Sequence, residues 1–212
     1  MNLIKRKIFL CLWILTIPGV HIFYEELNIK KGDIYSLATD LDKSMPFVKQ
    51  FIIPYKIWYA FIAIGLIILC IKNEEAYKCT LISLILSLLM AYVFFYFFQT
   101  TVDRPKLVNN DILTKWVKYT YMCDNPYNCF PSIHCITTYS VFKGLNKLKL
   151  NSYELGVNYI LTISILLATQ FIKQHVILDL IFAVLISESF YRLIWYLNYL
   201  IKDKKRKKLN ID

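Results

Sequence analysis

The 212-residue chain holds three histidines, His21, His134 and His175, and two of them stand beside residues that could give them work. His175 precedes Asp179 by four residues, and Asp179 lies about one turn inside an apolar run. On a helix that spacing shares a face, so the carboxylate can accept a hydrogen bond from one imidazole nitrogen. Such a bond fixes the tautomer and raises the basicity of the other nitrogen, which is what a histidine nucleophile requires. A structural His–Asp pair tying down a helix end accounts for the same spacing. His134 closes the sequence Pro131-Ser132-Ile133-His134, which reads as a helix opening. A helix N-terminus offers free N–H groups and a favourable dipole to an anion. Ser132 could add a hydroxyl donor, and His134 could protonate a leaving alkoxide. The plainer reading is a proline-started helix with a serine cap.

Arg104, in Gln99-Thr100-Thr101-Val102-Asp103-Arg104-Pro105, is a planar, permanently charged fork suited to phosphate. Gln99 and Lys173 are further candidate phosphate donors. These types together point to phosphoryl transfer without a metal: no carboxylate or cysteine cluster has ligand spacing, and Arg104, Lys173 and N–H groups can meet the phosphate charge. No cofactor is expected. Cys123 and Cys129, six residues apart, could close a small disulfide on an oxidising side or remain free thiols.

Residues so far apart need elements that bring them to one place. The chain is 57% hydrophobic and 16% aromatic, too apolar for an ordinary soluble domain. Apolar runs at about 8–24, 51–71, 79–98, 154–172 and 176–200 each approach the ~20 residues that a crossing helix needs. A weaker sixth lies at about 131–147. The first run could be a signal peptide, but no A-x-A-like site follows it, which favours an uncleaved anchor. With six crossings and both termini in the cytoplasm, fourteen basic residues fall in the N-terminal segment, the short inner loops and the basic tail 201–212, against nine in the longer outer stretches. That bias fits the positive-inside rule. The expected fold is therefore a single-domain, all-α, six-helix transmembrane bundle of the plasma membrane, with its active site at the extracytoplasmic face.

The net charge of +10 is clustered between apolar runs, which argues for membrane headgroups and against nucleic acid. Glu188 and Arg192, one turn apart, read as a structural pair, and Trp58 and Trp195 as interfacial anchors. Two other classes compete with an enzyme. A transporter could use His175–Asp179 as a proton relay, although broken helices at midplane are then expected. A non-catalytic bundle is the other, since fold alone does not guarantee function.

Taken together the motifs resemble the type 2 phosphatidic acid phosphatase superfamily, whose three signatures run Lys-x6-Arg-Pro, Pro-Ser-Gly-His and Ser-Arg-x5-His-x3-Asp. They correspond here to Arg104-Pro105, Pro131-Ser132-Ile133-His134 and His175-x3-Asp179, over roughly residues 50–195. The resemblance implies that His175 attacks phosphorus, His134 protonates the leaving group and Asp179 orients His175. Phe97 stands at the lysine of the first signature, Ile133 at the glycine, and Ala168-Thr169 at Ser-Arg. With those changes the pattern is more similar to the branch of inositol phosphorylceramide and sphingomyelin synthases and their bacterial relatives. It implies a lipid phosphate phosphatase or, alternatively, a lipid phospho-headgroup transferase, leaving substrate, acceptor and oligomeric state open.

Overall fold

The computed structural model describes residues 3–209 and is mainly helical, with two short strands. The chain enters as α1 (Leu3–Leu12), tightens into a 3-10 turn at Trp13–Leu15, and continues as α2 (Thr16–Leu27). Then come β1 (Tyr35–Ser36), α3 (Asp40–Ser44), α4 (Ile52–Lys72), α5 (Glu74–Phe97), β2 (Thr100–Thr101) and α6 (Ile112–Cys123). Three helices follow: α7 (Ile133–Leu145), α8 (Ser152–Phe171) and α9 (Ile177–Leu209). The two short strands pair in parallel, Tyr35 with Thr100 and Ser36 with Thr101.

Local chemistry sets these boundaries. Asn73 ends α4 and caps α5 by accepting the Ala76 N–H, so the two helices turn without a loop. Asn151 and Glu154 form a reciprocal capping box at the start of α8. Asp111 caps α6, and Ser132 caps α7.

Four helical stretches are long and apolar enough to cross a membrane: Lys5–Leu27, Lys49–Lys72, Glu74–Phe97 and Ser152–Phe171. Two expected crossings differ in kind. At 13 residues α7 is only about 20 Å long. It lies at the centre of the fold, packed by α4, α5, α8 and α9, and ten of its residues are buried. Its weak hydropathy follows, because its surroundings are other helices. Gly144 allows the close approach: a Cβ there would collide with Thr80 and Leu69. All but the first residue of the run 176–200 lies in α9, which carries Asp179, Glu188 and Arg192 in its first half. The expected tail continues that helix to Leu209, and 210–212 lie outside the described residues.

Glu188 does pair with Arg192, at 2.6 Å, and also with Lys143 at 3.0 Å. Trp58, expected as an interfacial anchor, is half-buried and turns toward α7. Its ring lies 4.5 Å from that of His134, and its Nε1–H donates to Thr137.

Candidate active site

The turn between α8 and α9 sets the position of His175. Lys173 has φ +53° just past the end of α8, a backbone conformation that usually falls to glycine. Its N–H donates to Gln170 O, and the Gln174 N–H donates to Thr169 O, the pair of reversed bonds that closes a helix in a Schellman turn. The turn projects Gln174 and His175 back over the helix ends.

His175 therefore precedes α9, and the expected shared helical face is not how it meets Asp179. Asp179 occupies the third position of α9 and reaches back to accept the Val176 N–H at 3.0 Å. The same oxygen lies 3.2 Å from His175 Nδ1, and the Cys129 carbonyl lies 3.0 Å from that nitrogen. Both partners only accept, so Nδ1 carries the proton and Nε2 of the neutral ring keeps its lone pair. Nε2 faces His134 Nδ1 at 3.4 Å. On its far side, His134 Nε2 lies 2.8 Å from the Tyr55 hydroxyl, which projects from the first turn of α4. All four side chains are almost completely buried.

Arg104 is half-buried and stacks on Tyr121, with its guanidinium carbon 4.4 Å from the ring centre. Its Nη1 donates to the carbonyls of Tyr121 and Asp124, and its Nη2 donates to Gln174 Oε1. Among the described residues no carboxylate lies within ion-pair distance of it. Its Nε and the Gln174 Nε2 have no hydrogen-bond partner although both are buried. Arg104, Gln174, His134 and His175 share the wall of a void of about 10 Å³, roughly the room of one water. Beside it opens a cleft of about 430 Å³, lined by Arg104, His175, Lys173 and Gln170 together with apolar Met45, Phe47 and Val102.

The segment 28–51 covers this end of the fold. Asp42, buried on α3, accepts the Ile177 N–H at 2.8 Å and so caps α9 from 135 residues away. Lys173 Nζ donates to the carbonyls of Asp42 and Met45.

The structure brings His134, His175, Asp179 and Arg104 into one region and places the other candidates differently. Gln99 has both amide hydrogens committed, to the carbonyls of Leu27 and Ile29 and to Asn128, while its oxygen takes the Lys31 N–H. It holds two loops together and lines neither cavity. Ser132 is fully buried as the α7 cap, accepting the Cys135 N–H, and it too lines neither. Lys173 borders the cleft with its ammonium strapped to the covering segment. Cys123 and Cys129 are both free, the first exposed and the second buried, so the possible disulfide is not formed. Burial, aided by nearby Asp179 and Asp124, pushes the Cys129 thiol well above its ordinary pKa. Among the described residues no group of histidines, cysteines and carboxylates is placed to hold a metal ion.

Sequence reasoning missed Tyr55, Gln174 and Asp42. Thr39-x-x-Asp42 is a legible capping box, and Gln174 adjoins a nominated histidine. Nothing in the sequence marks Tyr55. No family model, no curated protein and no solved structure matches the chain.

Proposed function

We propose that this is a membrane enzyme of six crossings that hydrolyses a lipid phosphate ester through His175, with the site at the extracytoplasmic face. The reading rests on one observation above all. A buried histidine has its Nδ1 held between two acceptors and its Nε2 turned to His134, and it borders a small void together with Arg104 and Gln174, whose Nε and Nε2 are buried without partners. Buried donors without partners are costly, and a phosphoryl oxygen would satisfy both.

In this reading the two imidazoles, 3.4 Å apart at rest, part to admit the phosphoryl group between them. His175 Nε2 attacks phosphorus, and the bond to the leaving oxygen breaks as His134 gives that oxygen a proton. Asp179 and the Cys129 carbonyl stabilise the charge that builds on His175 through its Nδ1–H. Water then attacks the phosphohistidine and releases inorganic phosphate. The expected six crossings would comprise the four apolar stretches, with α7 shielded at their centre and α9 completing the set.

Transfer to a lipid alcohol instead of water is the second reading. It is favoured by the cleft, whose Met45, Phe47 and Val102 walls give an acceptor chain somewhere to lie. Both readings keep the likeness to type 2 phosphatidic acid phosphatases on the histidine signatures.

The test is inorganic phosphate release from a panel of solubilised phospholipid and prenyl phosphates, with EDTA present, by wild type and His175→Ala. Release that survives EDTA and vanishes in the variant supports the hydrolase. A new lipid formed only when an acceptor alcohol is added moves the reading to a transferase, and silence in both assays sinks the enzymatic reading.

A further inference from the structure

Helix α6 turns an apolar face outward. Ile112, Trp116, Tyr119 and Met122 stand at helical spacing along one face, and all are exposed, Met122 by 81%. The face turned toward α4 and the 3-10 turn at Lys49–Phe51 carries Leu113, Val117 and Tyr121 with Thr114 and Thr120, so apolar residues lie on both sides of the helix. A helix with one side in water carries polar residues on that side.

The exposed stripe does not stop at α6. It continues onto exposed Ile53, Ile57 and Tyr59 of α4, a helix apolar and long enough to cross a membrane. Lys56 marks the seam, with its ammonium 5.5 Å from the centre of the Tyr119 ring. Two apolar faces that merge this way share one solvent. Lys115, exposed beside the stripe, suits the phosphate side of that boundary.

We propose that α6 is an interfacial helix, lying along the headgroup–acyl boundary of the outer leaflet with Ile112, Trp116, Tyr119 and Met122 in lipid. The proposal rests on the membrane reading above but not on catalysis. It has a consequence for the site. The carbonyls that hold Arg104 belong to Tyr121 near the end of α6 and to Asp124 just beyond it. A helix at headgroup depth therefore sets Arg104 at the depth of lipid phosphates, so a lipid ester can be engaged without leaving its leaflet.

The test uses the full chain in nanodiscs of phosphatidylcholine brominated either near the headgroup or near the chain end. The emission lost on Trp116→Phe isolates Trp116 from the other three tryptophans. That component should be quenched more by shallow than by deep bromines, and aqueous iodide should reach it poorly. Adding Tyr119→Trp to Trp116→Phe, which moves the reporter along the same face, should restore it. Quenching by iodide without quenching by bromolipid would place α6 in water and overturn the proposal. Insensitivity to both would mean that protein covers the stripe, a second copy of this chain being the available cover, and would overturn it equally. Neither result depends on turnover, so an inactive preparation still decides the question.

Discussion

The Tyr55 hydroxyl lies 2.8 Å from Nε2 of His134, and its direction of donation follows from the partner on the other side of that ring. His175 presents a lone pair at Nε2, so the facing Nδ1 of His134 must be the protonated one. Nε2 of His134 is then an acceptor, and Tyr55 must donate to it. The proton of His134 is thereby aimed into the site.

Tyr55→Phe keeps the ring and removes the donor. The expected result is a fall in kcat of about tenfold with KM unchanged, since one hydrogen bond of about 1.4 kcal/mol is lost from a reacting group. With only three histidines in the chain, nitrogen NMR of histidine-labelled protein reads the tautomer directly. A single dominant Nδ1–H form of His134 in wild type should become a mixture in the variant.

Asp179→Asn tests the other end of the chain of bonds. The amide can still accept the Val176 N–H, so the start of α9 stays capped and thermal stability should change little. The oxygen that accepts that N–H is also the one facing His175 Nδ1, so the tautomer is kept and what is lost is the negative charge opposite the imidazolium that forms. Turnover should drop by about tenfold or more, the difference between a charge-assisted and a neutral hydrogen bond. A variant that retains most of its activity would remove Asp179 from the mechanism.

Lys173 combines a left-handed backbone with a strap onto the covering segment. Lys173→Gly relieves about 1 kcal/mol of backbone strain while losing two hydrogen bonds, so its Tm should stay near that of wild type. Lys173→Met loses the bonds and keeps the strain, and its Tm should fall. Amide exchange across 39–45 should quicken in both, and an unchanged exchange rate would mean that the strap does not hold the segment.

Cys123 and Cys129 should behave as opposites. A water-soluble maleimide should label Cys123 and spare Cys129, and reductant should leave the product unchanged. The raised pKa of Cys129 favours the folded state fully below the unfolded thiol value of about 8.5, and that advantage is lost as pH climbs from there toward the folded value. Tm should therefore decline above about pH 8.5 more steeply in wild type than in Cys129→Ala.

Gly144→Val places two methyl groups where a bare Cβ already meets Thr80 and Leu69. A loss of about 1–3 kcal/mol is expected, read as a lowered unfolding temperature in detergent. Gly156, with nothing within reach of an added Cβ, should accept alanine without loss.

Much of the helical order was legible because apolar runs of helical length have few alternatives. The run at 51–71 emerges as α4 at Ile52–Lys72, and that at 154–172 as α8 at Ser152–Phe171. The site was legible only in part. Types and spacing pick out His134, His175, Asp179 and Arg104, but the number of unused hydrogen bonds on a side chain is not written in its neighbours. Gln99 and Ser132 look like free donors in sequence and are committed to loops and a cap in space. Tyr55 and Asp42 act across 79 and 135 residues, and no local pattern announces contacts of that range.

The central place of α7 bears on how the protein is made. This helix is short, carries His134, Thr137, Thr138 and Ser140, and has nearly every residue covered by protein. If the six-crossing reading holds, a ribosome delivers it to the membrane before α8 and α9 exist to shield its polar side. Released alone into lipid it would be a poor guest. It has to wait in the insertion machinery until both partners emerge, so a chain truncated after 150 should fail to integrate α7 and become prey for quality-control proteases.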